Sequence, residues 1–192
     1  MGKIIYIVGK SATGKDTIYN ELKSILYNKA KPIIATTTRP IRPGEVNGET
    51  YNFIDDQTMM NLELGNKIIE QRKYETVEGL WTYATINDNI DITKNNYIGI
   101  GTLVSLKEMK KNFGNDIIPI YIEVDNDIRM KRSISREALG NHNYNEMCRR
   151  WLADEDDFSQ QNIDAANVIT VYNNENVDVA ILQILKIIIS KL

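Results

Sequence analysis

Residues 9–15 read Gly-Lys-Ser-Ala-Thr-Gly-Lys and fit the spacing G-x-x-x-x-G-K of a phosphate-binding loop. An apolar run precedes this loop and a helical pattern follows it, an order that a chance glycine-rich turn would not need. The loop's backbone N–H groups and the positive end of the next helix point at one anion, and Lys15 adds a point charge for β- and γ-phosphates. The residues predicted to bind a triphosphate are Gly9, Lys10, Ser11, Ala12, Thr13, Gly14, Lys15, Asp16 and Thr17.

Asp16 stands where this type of loop has a serine or threonine whose hydroxyl ligates Mg²⁺. Mg²⁺ prefers oxygen ligands, so the Asp16 carboxylate could take over the metal directly. The alternative is that Asp16 is only a favourable anion in the first turn of a helix, with the metal held by the triphosphate and by water. Asp16 is therefore the predicted metal ligand, with both interpretations open.

A second group of phosphate-binding candidates lies between residues 36 and 53. Arg39 and Arg42 stand three residues apart in a proline-rich stretch, and their planar guanidinium groups suit a dianionic phosphate. The prolines restrict the stretch, so less entropy is lost when it closes on a ligand. Tyr51 can donate its hydroxyl to the same phosphate. The alternative is a pair of surface salt bridges with Glu45 or Glu49, which would leave the spacing and the prolines unexplained.

These residues need a scaffold, and the pattern along the chain predicts one. The 192 residues, 42% of them hydrophobic, suffice for one domain with a sizeable core. Strand-like apolar runs alternate with helical patterns, which predicts an α/β fold with a largely parallel sheet and helices on both faces. Predicted elements include a helix at residues 16–30, a strand at 33–38 and a helix at 146–161. The short strands between about residues 39 and 86 predict a smaller, inserted β-rich lobe.

Composition argues against several classes of protein. The net charge of −3 gives no reason to expect nucleic-acid or membrane binding. One cysteine, Cys148, excludes an internal disulfide, and one histidine, His142, argues against a structural zinc site. The sequence shows no signal peptide and no long apolar span, so we expect a cytoplasmic protein.

The stretch from Thr36 to Gly48, followed by Tyr51-Asn52-Phe53, resembles the substrate loop of guanylate kinases. Together with the phosphate-binding loop it makes the chain similar to that family from the first strand to the last helix, most strongly up to about Tyr83. The resemblance implies one domain with a core at residues 1–35 and 96–192. It also implies a monophosphate-binding lobe at residues 36–86 and a helical lid at about 137–147.

The resemblance also assigns roles to residues of the lobe. It implies that Arg39, Arg42, Tyr51 and Tyr83 hold the phosphate of a nucleoside monophosphate, although ordinary strand packing would also account for Tyr83. Glu70 stands where the family keeps a guanine-reading glutamate, and Thr85 matches a small hydroxyl residue of the family. A carboxylate can accept from both N1–H and the 2-amino group of guanine, a donor pair that adenine lacks.

Three departures from the family pattern put the choice of purine and the metal site in question. Ala35 stands where a base-reading serine is common, and Gly99 and Gly101 replace two acids that serve the metal and the guanine amino group. Asp16 replaces the hydroxyl of the phosphate-binding loop. One carboxylate is lost from the strand and another is gained in the loop, so Asp16 is hypothesised to compensate as the metal anchor.

The lid is expected to supply arginines that grip the transferring phosphoryl group. The resemblance points to Arg132, Arg136 and Arg150, with Arg149 as the rival of Arg150. The alternative is a solvated helix face on which arginines pair with the acidic run at residues 154–157, which we interpret as structural. Asn174 stands where the family often has an asparagine near the adenine site.

The residues and the resemblance together predict a kinase that transfers the γ-phosphoryl group of ATP to GMP or dGMP, with Mg²⁺ as cofactor. The expected partners are these small nucleotides, with no nucleic acid and no membrane. The alternatives are a kinase for a different or modified nucleoside monophosphate, and a catalytically reduced module of the same fold that binds a protein. The sequence does not indicate the oligomeric state.

Overall fold

The structure is a computed structural model that describes residues 1–42, 44–76, 79–140 and 142–192. Pro43 of the predicted substrate loop, Val77 and Glu78 of the predicted lobe and Asn141 of the predicted lid lie outside the described residues. No helix in the described ranges is both long enough and apolar enough to cross a membrane.

The strands form two separate sheets. In chain order they are β1 (Ile4–Gly9), β2 (Ala30–Pro32), β3 (Thr36–Thr37), β4 (Asn52–Phe53), β5 (Ile68–Thr76), β6 (Gly79–Ile86), β7 (Asn96–Gly101), β8 (Ile117–Glu123) and β9 (Ile169–Tyr172). The main sheet has the order β2-β7-β1-β8-β9 and is parallel throughout. The second sheet has the order β4-β3-β6-β5, in which β6 runs antiparallel to both of its neighbours.

Helices cover both faces of the main sheet. In chain order the helices of the described residues are α1 (Lys15–Ile25), α2 (Asp56–Leu64), α3 (Leu103–Phe113), α4 (Asn126–Leu139), α5 (Tyr144–Asp157), α6 (Gln160–Ala166) and α7 (Val177–Lys191). Of these, α2 packs on the second sheet rather than on the main one. Alternate residues of β1 face opposite sides, because successive side chains of a strand do. Ile5 and Ile7 pack in one cluster with apolar residues of α1 and α7, while Ile4 and Val8 pack in another with residues of α3. The predicted α/β class with helices on both faces is confirmed.

Two predicted elements near the second sheet are wrong in their bounds. Helix α1 ends at Ile25 rather than near residue 30, because Ala30 pairs with Asn96 at the start of β2. The predicted strand at 33–38 is divided between the sheets: β2 pairs with β7, and β3 pairs with β4 and β6. The residues between β2 and β3 therefore carry the chain from one sheet to the other.

The predicted helix at residues 146–161 is also wrong, since it is broken into α5 and α6. Phe158 lies between them, 5% exposed, and its ring stacks on Tyr121 of β8 with centroids 5.5 Å apart. Burial of this aromatic ring against the sheet fixes the chain at the end of α5, and a new helix begins after Ser159.

Candidate nucleotide-binding cleft

The phosphate-binding loop connects β1 to α1 and is held in shape by buried polar contacts. Gly14 has a φ of 81°, and a Cβ there would lie 2.7 Å from Nδ2 of Asn173. The amide of Asn173, itself 4% exposed, donates to the backbone oxygen of Thr13 at 2.8 Å. The hydroxyl of Thr13 donates to the backbone oxygen of Lys10 at 2.8 Å. These bonds fix the loop before any ligand binds. The sequence analysis singled out Asn174 and missed its neighbour Asn173, which no motif marks.

Lys15 and Asp16 open α1 at the edge of the cleft. The Nζ atom of Lys15 lies 3.2 Å from Oδ2 of Asp16, whose side chain is 79% exposed. Thr17, the next residue, is also exposed. Lys15 is therefore placed as the loop pattern predicts, at the N-terminus of a helix whose dipole favours anions.

Lys10 and Ser11 contact α5 rather than the cleft. The ammonium of Lys10 donates to Glu155 at 3.0 Å, and the backbone N–H of Ser11 donates to Asp154 at 2.7 Å. Lys10 is only 7% exposed. Lys10 is one of the predicted triphosphate-binding residues. Because its side chain is bound to α5, it can offer a ligand its backbone.

Arg129, which the sequence analysis missed, lies behind these contacts. It is 0% exposed, it bonds Glu155, and its Nη1 atom lies 3.7 Å from Asp154. The ring of Trp151 stacks against the guanidinium carbon at 3.5 Å. Asp154 and Glu155 are therefore shared between a buried arginine on α4 and the phosphate-binding loop. These two acids agree with the structural interpretation of the run, but their partners differ from the expected arginines.

Three predicted phosphate-binding residues of the second sheet lie together. Arg39 is 3% exposed, its Nε donates to the hydroxyl of Tyr83 at 3.1 Å, and its guanidinium lies 5.5 Å from the ring centroid of Tyr51. The rings of Tyr51 and Tyr83 meet edge to face at 5.6 Å. Burial raises the pKa of Tyr51. The guanidinium of Arg39 thus lies beside the hydroxyl of Tyr83 and the ring of Tyr51.

Glu45 is the partner that the alternative interpretation foresaw for Arg39. Its two carboxylate oxygens accept from Nη1 and Nη2 of Arg39 at 3.0 and 2.7 Å, and from the backbone N–H of Arg42 at 2.8 Å. The hydrogen bonds from Arg39 and from the backbone hold the pKa of Glu45 below its usual value. The Arg42 side chain is exposed and lies 5.8 Å from the ring of Trp81, apart from the Arg39 group.

A cleft of about 1250 Å³ brings the two groups to one space. Lys15 and Asp16 line it on the side of the main sheet, and Tyr51 and Tyr83 line it on the side of the second sheet. Ala35 lies along the same wall. The cleft therefore has a phosphate-binding loop at one end and the Arg39 group beside the other.

Glu70 and Thr85 form a second polar group, on β5 and β6. The register pairs Glu70 with Thr85 and Arg72 with Tyr83, and the Thr85 hydroxyl donates to Oε1 of Glu70 at 2.8 Å. The guanidinium of Arg72, which the sequence analysis did not single out, donates to both oxygens of Glu70 at 3.1 and 3.3 Å. The sequence signal was present, because residues two apart on a strand share a face.

Tyr6 explains the two glycines on β7. Its ring lies across them, so that a Cβ at Gly99 would come within 2.9 Å of the ring and a Cβ at Gly101 would overlap the hydroxyl groups of Tyr6 and Ser105. The Tyr6 hydroxyl donates to Ser105 at 3.0 Å, and burial raises the pKa of Tyr6 to about 12. The space for the family's two acids is filled by this ring.

The predicted lid arginines are dispersed over α4 and α5. Arg132 donates to the backbone oxygen of Asn174 at 3.5 Å, and the side-chain oxygen of Asn174 accepts from the backbone of Asp125. Arg136 is exposed, and Arg150 donates to Glu137 at 3.1 Å.

Arg149, the rival candidate, lines the cleft together with Glu146, to which it bonds at 2.7 Å. Of the two rival candidates, Arg149 is thus the one that lines the cleft.

Asp16, the predicted metal ligand, lies at the wall of the cleft. No cluster of three or more acidic, histidine or cysteine side chains that could hold a metal occurs in the part of the chain that the structure describes. Asp16 is a single exposed carboxylate beside Lys15 at the cleft wall. Because Mg²⁺ keeps several waters and binds one or two carboxylates plus substrate phosphates, this donor set fits Mg²⁺.

Comparison with known proteins agrees with this arrangement. A family model described as guanylate kinase matches residues 1–191. The guanylate kinase of Mesoplasma florum is 30% identical over 132 residues, which are 69% of this chain and 37% of that protein, so the match spans well under half of this relative. The guanylate kinase of Nostoc sp. is 28% identical over 152 residues, 72% of this chain and 71% of that protein.

A solved structure is similar in fold. The crystal structure of guanylate kinase from Anaplasma phagocytophilum superimposes with a TM-score of 0.66, at 19% identity, over 99% of this chain and 86% of that one. The match of the family model along nearly the whole chain is the finding that decides membership, and the cleft with its phosphate-binding loop and tyrosine–arginine group agrees with it. This chain belongs to the guanylate kinase family.

Proposed function

We propose that this chain transfers the γ-phosphoryl group of ATP to GMP or dGMP, giving ADP and GDP or dGDP. The observation that carries the proposal is the single cleft with Lys15 on one wall and Tyr51 and Tyr83 on the other. Membership of the family supports it. Phosphoryl transfer needs two nucleotides end to end, and a cleft with a phosphate-binding group on each side supplies that arrangement.

ATP binds with its β- and γ-phosphates on the N-terminus of α1. The backbone N–H groups of the loop and the Nζ of Lys15 neutralise the phosphates, and Asn173 keeps the loop in the conformation that presents those groups. Asn174 is proposed to lie near the adenine. Thr17 follows Lys15 on α1 and completes the proposed ATP site.

The acceptor phosphate binds at the Arg39 group. The dianionic phosphate displaces the carboxylate of Glu45 from the guanidinium of Arg39. It also accepts hydrogen bonds from the hydroxyls of Tyr51 and Tyr83. Arg42 swings in from the surface as a second guanidinium. An acceptor oxygen then attacks the γ-phosphorus, the bond to the bridging oxygen of the β-phosphate breaks, and ADP leaves with the electron pair. No general base is required, because the attacking oxygen is already ionised.

The carboxylate of Asp16 would hold Mg²⁺. Mg²⁺, when bound, neutralises charge on the β- and γ-phosphates. Lys15 and the lid arginines contribute positive charge to the same phosphates from this chain's own side chains. Arg132, Arg136 and Arg150, or Arg149 in place of Arg150, are the proposed lid group.

The proposed domain division follows the two sheets. Residues 1–35 and 96–192 form the core, residues 36–86 the monophosphate-binding lobe, and residues 137–147 the lid. Closure of lobe and lid over both nucleotides excludes water, which would otherwise accept the phosphoryl group.

Transfer from radiolabelled ATP to GMP, dGMP and AMP, in the presence of Mg²⁺, tests the proposal. Labelled diphosphate from the two guanylates is expected. Arg39→Lys keeps the charge but loses the planar fork, so kcat/KM for GMP should fall by roughly a hundredfold. Lys111→Ala, which removes an exposed cation on α3, is the matched control and should leave kcat/KM unchanged.

A protein-binding module is the competing interpretation, and one observation favours it: Arg39 and Glu70 already have partners within the chain. Calorimetry with ATP separates the two. ATP binding that is lost in Lys15→Ala supports the kinase, whereas absence of ATP binding together with absence of transfer would leave the recruitment module.

A further inference from the structure

The carboxylate of Glu70 lies behind Arg72 as seen from the cleft. The Glu70 side chain is 2% exposed, whereas that of Arg72 is 21% exposed and lines the cleft. Oε1 of Glu70 accepts from the Thr85 hydroxyl at 2.8 Å and from Nη2 of Arg72 at 3.3 Å, and Oε2 accepts from Nε of Arg72 at 3.1 Å. Any base that reaches this part of the cleft therefore meets a guanidinium before it meets the carboxylate.

Hydrogen-bonding capacity limits what Glu70 can do for a base. An ionised carboxylate has about four lone-pair sites. Thr85 and Arg72 occupy three of them, both sites of Oε1 included. Guanine needs two acceptors, one for N1–H and one for the 2-amino group, so Glu70 cannot read that edge of guanine while Arg72 stays in place.

Strand β7, whose Gly101 also lines the cleft, supplies no acid either. A carboxylate at Gly101 is excluded by the hydroxyl groups of Tyr6 and Ser105, and one at Gly99 by the Tyr6 ring. Ala35, at the cleft wall, has no polar side-chain atom to offer a base. The two groups that would recognise a 2-amino substituent are therefore absent or engaged.

Arg72, in contrast, keeps donors for a ligand. A guanidinium has five N–H bonds in a planar fork, and two of those of Arg72 go to Glu70. Among the described residues none accepts from Nη1, so the Nη1–Nη2 edge is unused while the bidentate bond to Glu70 fixes its direction. Such an edge matches two neighbouring acceptors, and O6 with N7 of guanine is the pair that arginine most often binds.

We propose that Arg72 is a specificity-determining residue that reads the O6/N7 edge of a 6-oxopurine monophosphate, with Glu70 as its positioning residue. The inference rests on the proposed function for the identity of the acceptor site, and it names the substrate class of that site. Hypoxanthine shares O6 and N7 with guanine and lacks only the 2-amino group, so IMP binds nearly as well as GMP. Adenine turns a 6-amino donor toward the guanidinium and is rejected.

Calorimetric titration of the full chain with four monophosphates tests this reading. IMP should bind within about threefold of GMP. AMP and 7-deaza-GMP, which lacks the N7 acceptor, should bind roughly 10- to 100-fold more weakly, the range expected for loss of a bidentate base contact. Strong preference for GMP over IMP, with 7-deaza-GMP equal to GMP, would overturn the inference.

Two variants invert the expected pattern. In Arg72→Ala the carboxylate of Glu70 is released to accept from N1–H and the 2-amino group, so 7-deaza-GMP should match GMP while IMP falls about tenfold behind it. Arg72→Gln, closer in size, provides the same comparison if Arg72→Ala does not fold. Lys67→Ala is the control, because it removes an exposed cation just before β5 that pairs with Asp88. If the affinities of IMP and 7-deaza-GMP relative to GMP are the same in the Arg72 variants as in the wild type, the inference is contradicted.

The binding series and the transfer assay test the role of Arg72 and the proposed kinase activity independently of each other. Transfer to GMP without the O6/N7 pattern overturns the role of Arg72 and leaves the proposed kinase in place. If the O6/N7 pattern is observed but no transfer occurs, the role of Arg72 stands and the proposed kinase activity is rejected. If no purine monophosphate binds, both fall.

Discussion

Four of the cations described above have an acidic partner within the chain: Lys15 with Asp16, Arg39 with Glu45, Arg72 with Glu70 and Lys10 with Glu155. The pairs differ in burial, so they differ in what a ligand can do with them. Lys15 and Asp16 meet at the solvent-exposed edge, where an ion pair contributes little to stability and is easily exchanged. The pair of Arg72 and Glu70 is largely buried, so it acts as one neutral unit.

Asp16 is the residue at which metal binding can be tested. Asp16→Ser restores the hydroxyl that the loop pattern ordinarily has but removes the only carboxylate that the Mg²⁺ proposal assigns to the protein. We expect the Mg²⁺ concentration for half-maximal transfer to rise by about tenfold, since one charged ligand is exchanged for a neutral one. Titration of Mg²⁺ at fixed ATP and GMP measures it.

Asp16→Asn keeps the size of the side chain and is the companion variant. If both variants reach half-maximal transfer at the wild-type Mg²⁺ concentration, Asp16 is only a helix-terminal anion and the metal is held by the nucleotide and water. A calorimetric Mg²⁺ titration in the presence of ADP provides a second readout that does not depend on turnover.

At the residue level, the sequence predicted the kinds of side chain in the cleft better than it predicted the contacts that those side chains make. Spacing indicated Lys15 and Arg39, because loop geometry and bidentate phosphate binding favour those side chains at those intervals. The role predicted for Tyr51 came from its hydroxyl and from the family resemblance. It did not reveal that Tyr6 fills the space beside Gly101, since that fit depends on the register of β1 against β7. Packing across strands that are distant in sequence is fixed only by the fold.

The link between α4, α5 and the phosphate-binding loop is the main feature at the scale of elements. Arg129 on α4 and the loop residues Lys10 and Ser11 bind the same two acids of α5. A shift of α5 therefore cannot leave the loop unaffected. The sequence showed an acidic run and nearby arginines, but which helix faces which could not be read from i,i+4 spacing.

We expect Arg129→Met to lower the free energy of unfolding by about 3 kcal/mol. The substitution leaves two partly buried carboxylates without their guanidinium, and removing one partner of a buried ion pair costs that much. Urea denaturation followed by circular dichroism measures the change. Adding Glu155→Gln to the variant should not recover this loss, because it also takes the acidic partner from the buried ammonium of Lys10.

Arg149→Met is the control for this prediction, since it makes the same substitution on a mostly exposed pair, Arg149 with Glu146. Its expected cost is below about 1 kcal/mol. Equal effects of the two substitutions would show that Arg129 is not a structural centre of the α4–α5 link.

Element boundaries failed where tertiary pairing competes with local propensity. Residues 26–30 suit a helix, but the pairing of Ala30 with Asn96 draws them toward the main sheet. The strand predicted at 33–38 has one continuous apolar and β-branched pattern, yet it serves two sheets. The periodicity of a sequence indicates which residues are buried, but it does not indicate the sheet against which those residues pack.

At the scale of the molecule, the crossing between the sheets sets the geometry of the cleft. The segment at residues 33–35 passes from β2 to β3, and the second sheet returns through β6 to the main sheet near β7. Two covalent connections thus join the proposed lobe to the core. Such a double connection allows a hinge motion while it keeps the acceptor site opposite the phosphate-binding loop.

Simultaneous occupation of both sites should therefore stabilise the molecule more than either nucleotide alone. A bisubstrate compound, adenosine and guanosine joined through five phosphates, spans both phosphate groups. At a hundredfold excess over its dissociation constant it should add about 2.7 kcal/mol, which corresponds to a rise in melting temperature of about 5–10 °C. Closure should also reduce the radius of gyration in solution scattering.

Arg39→Lys should lose most of the thermal shift at the same concentration, because the acceptor phosphate loses its bidentate partner. A shift no larger than that produced by ATP alone, with an unchanged radius, would mean that the second sheet takes no part in binding.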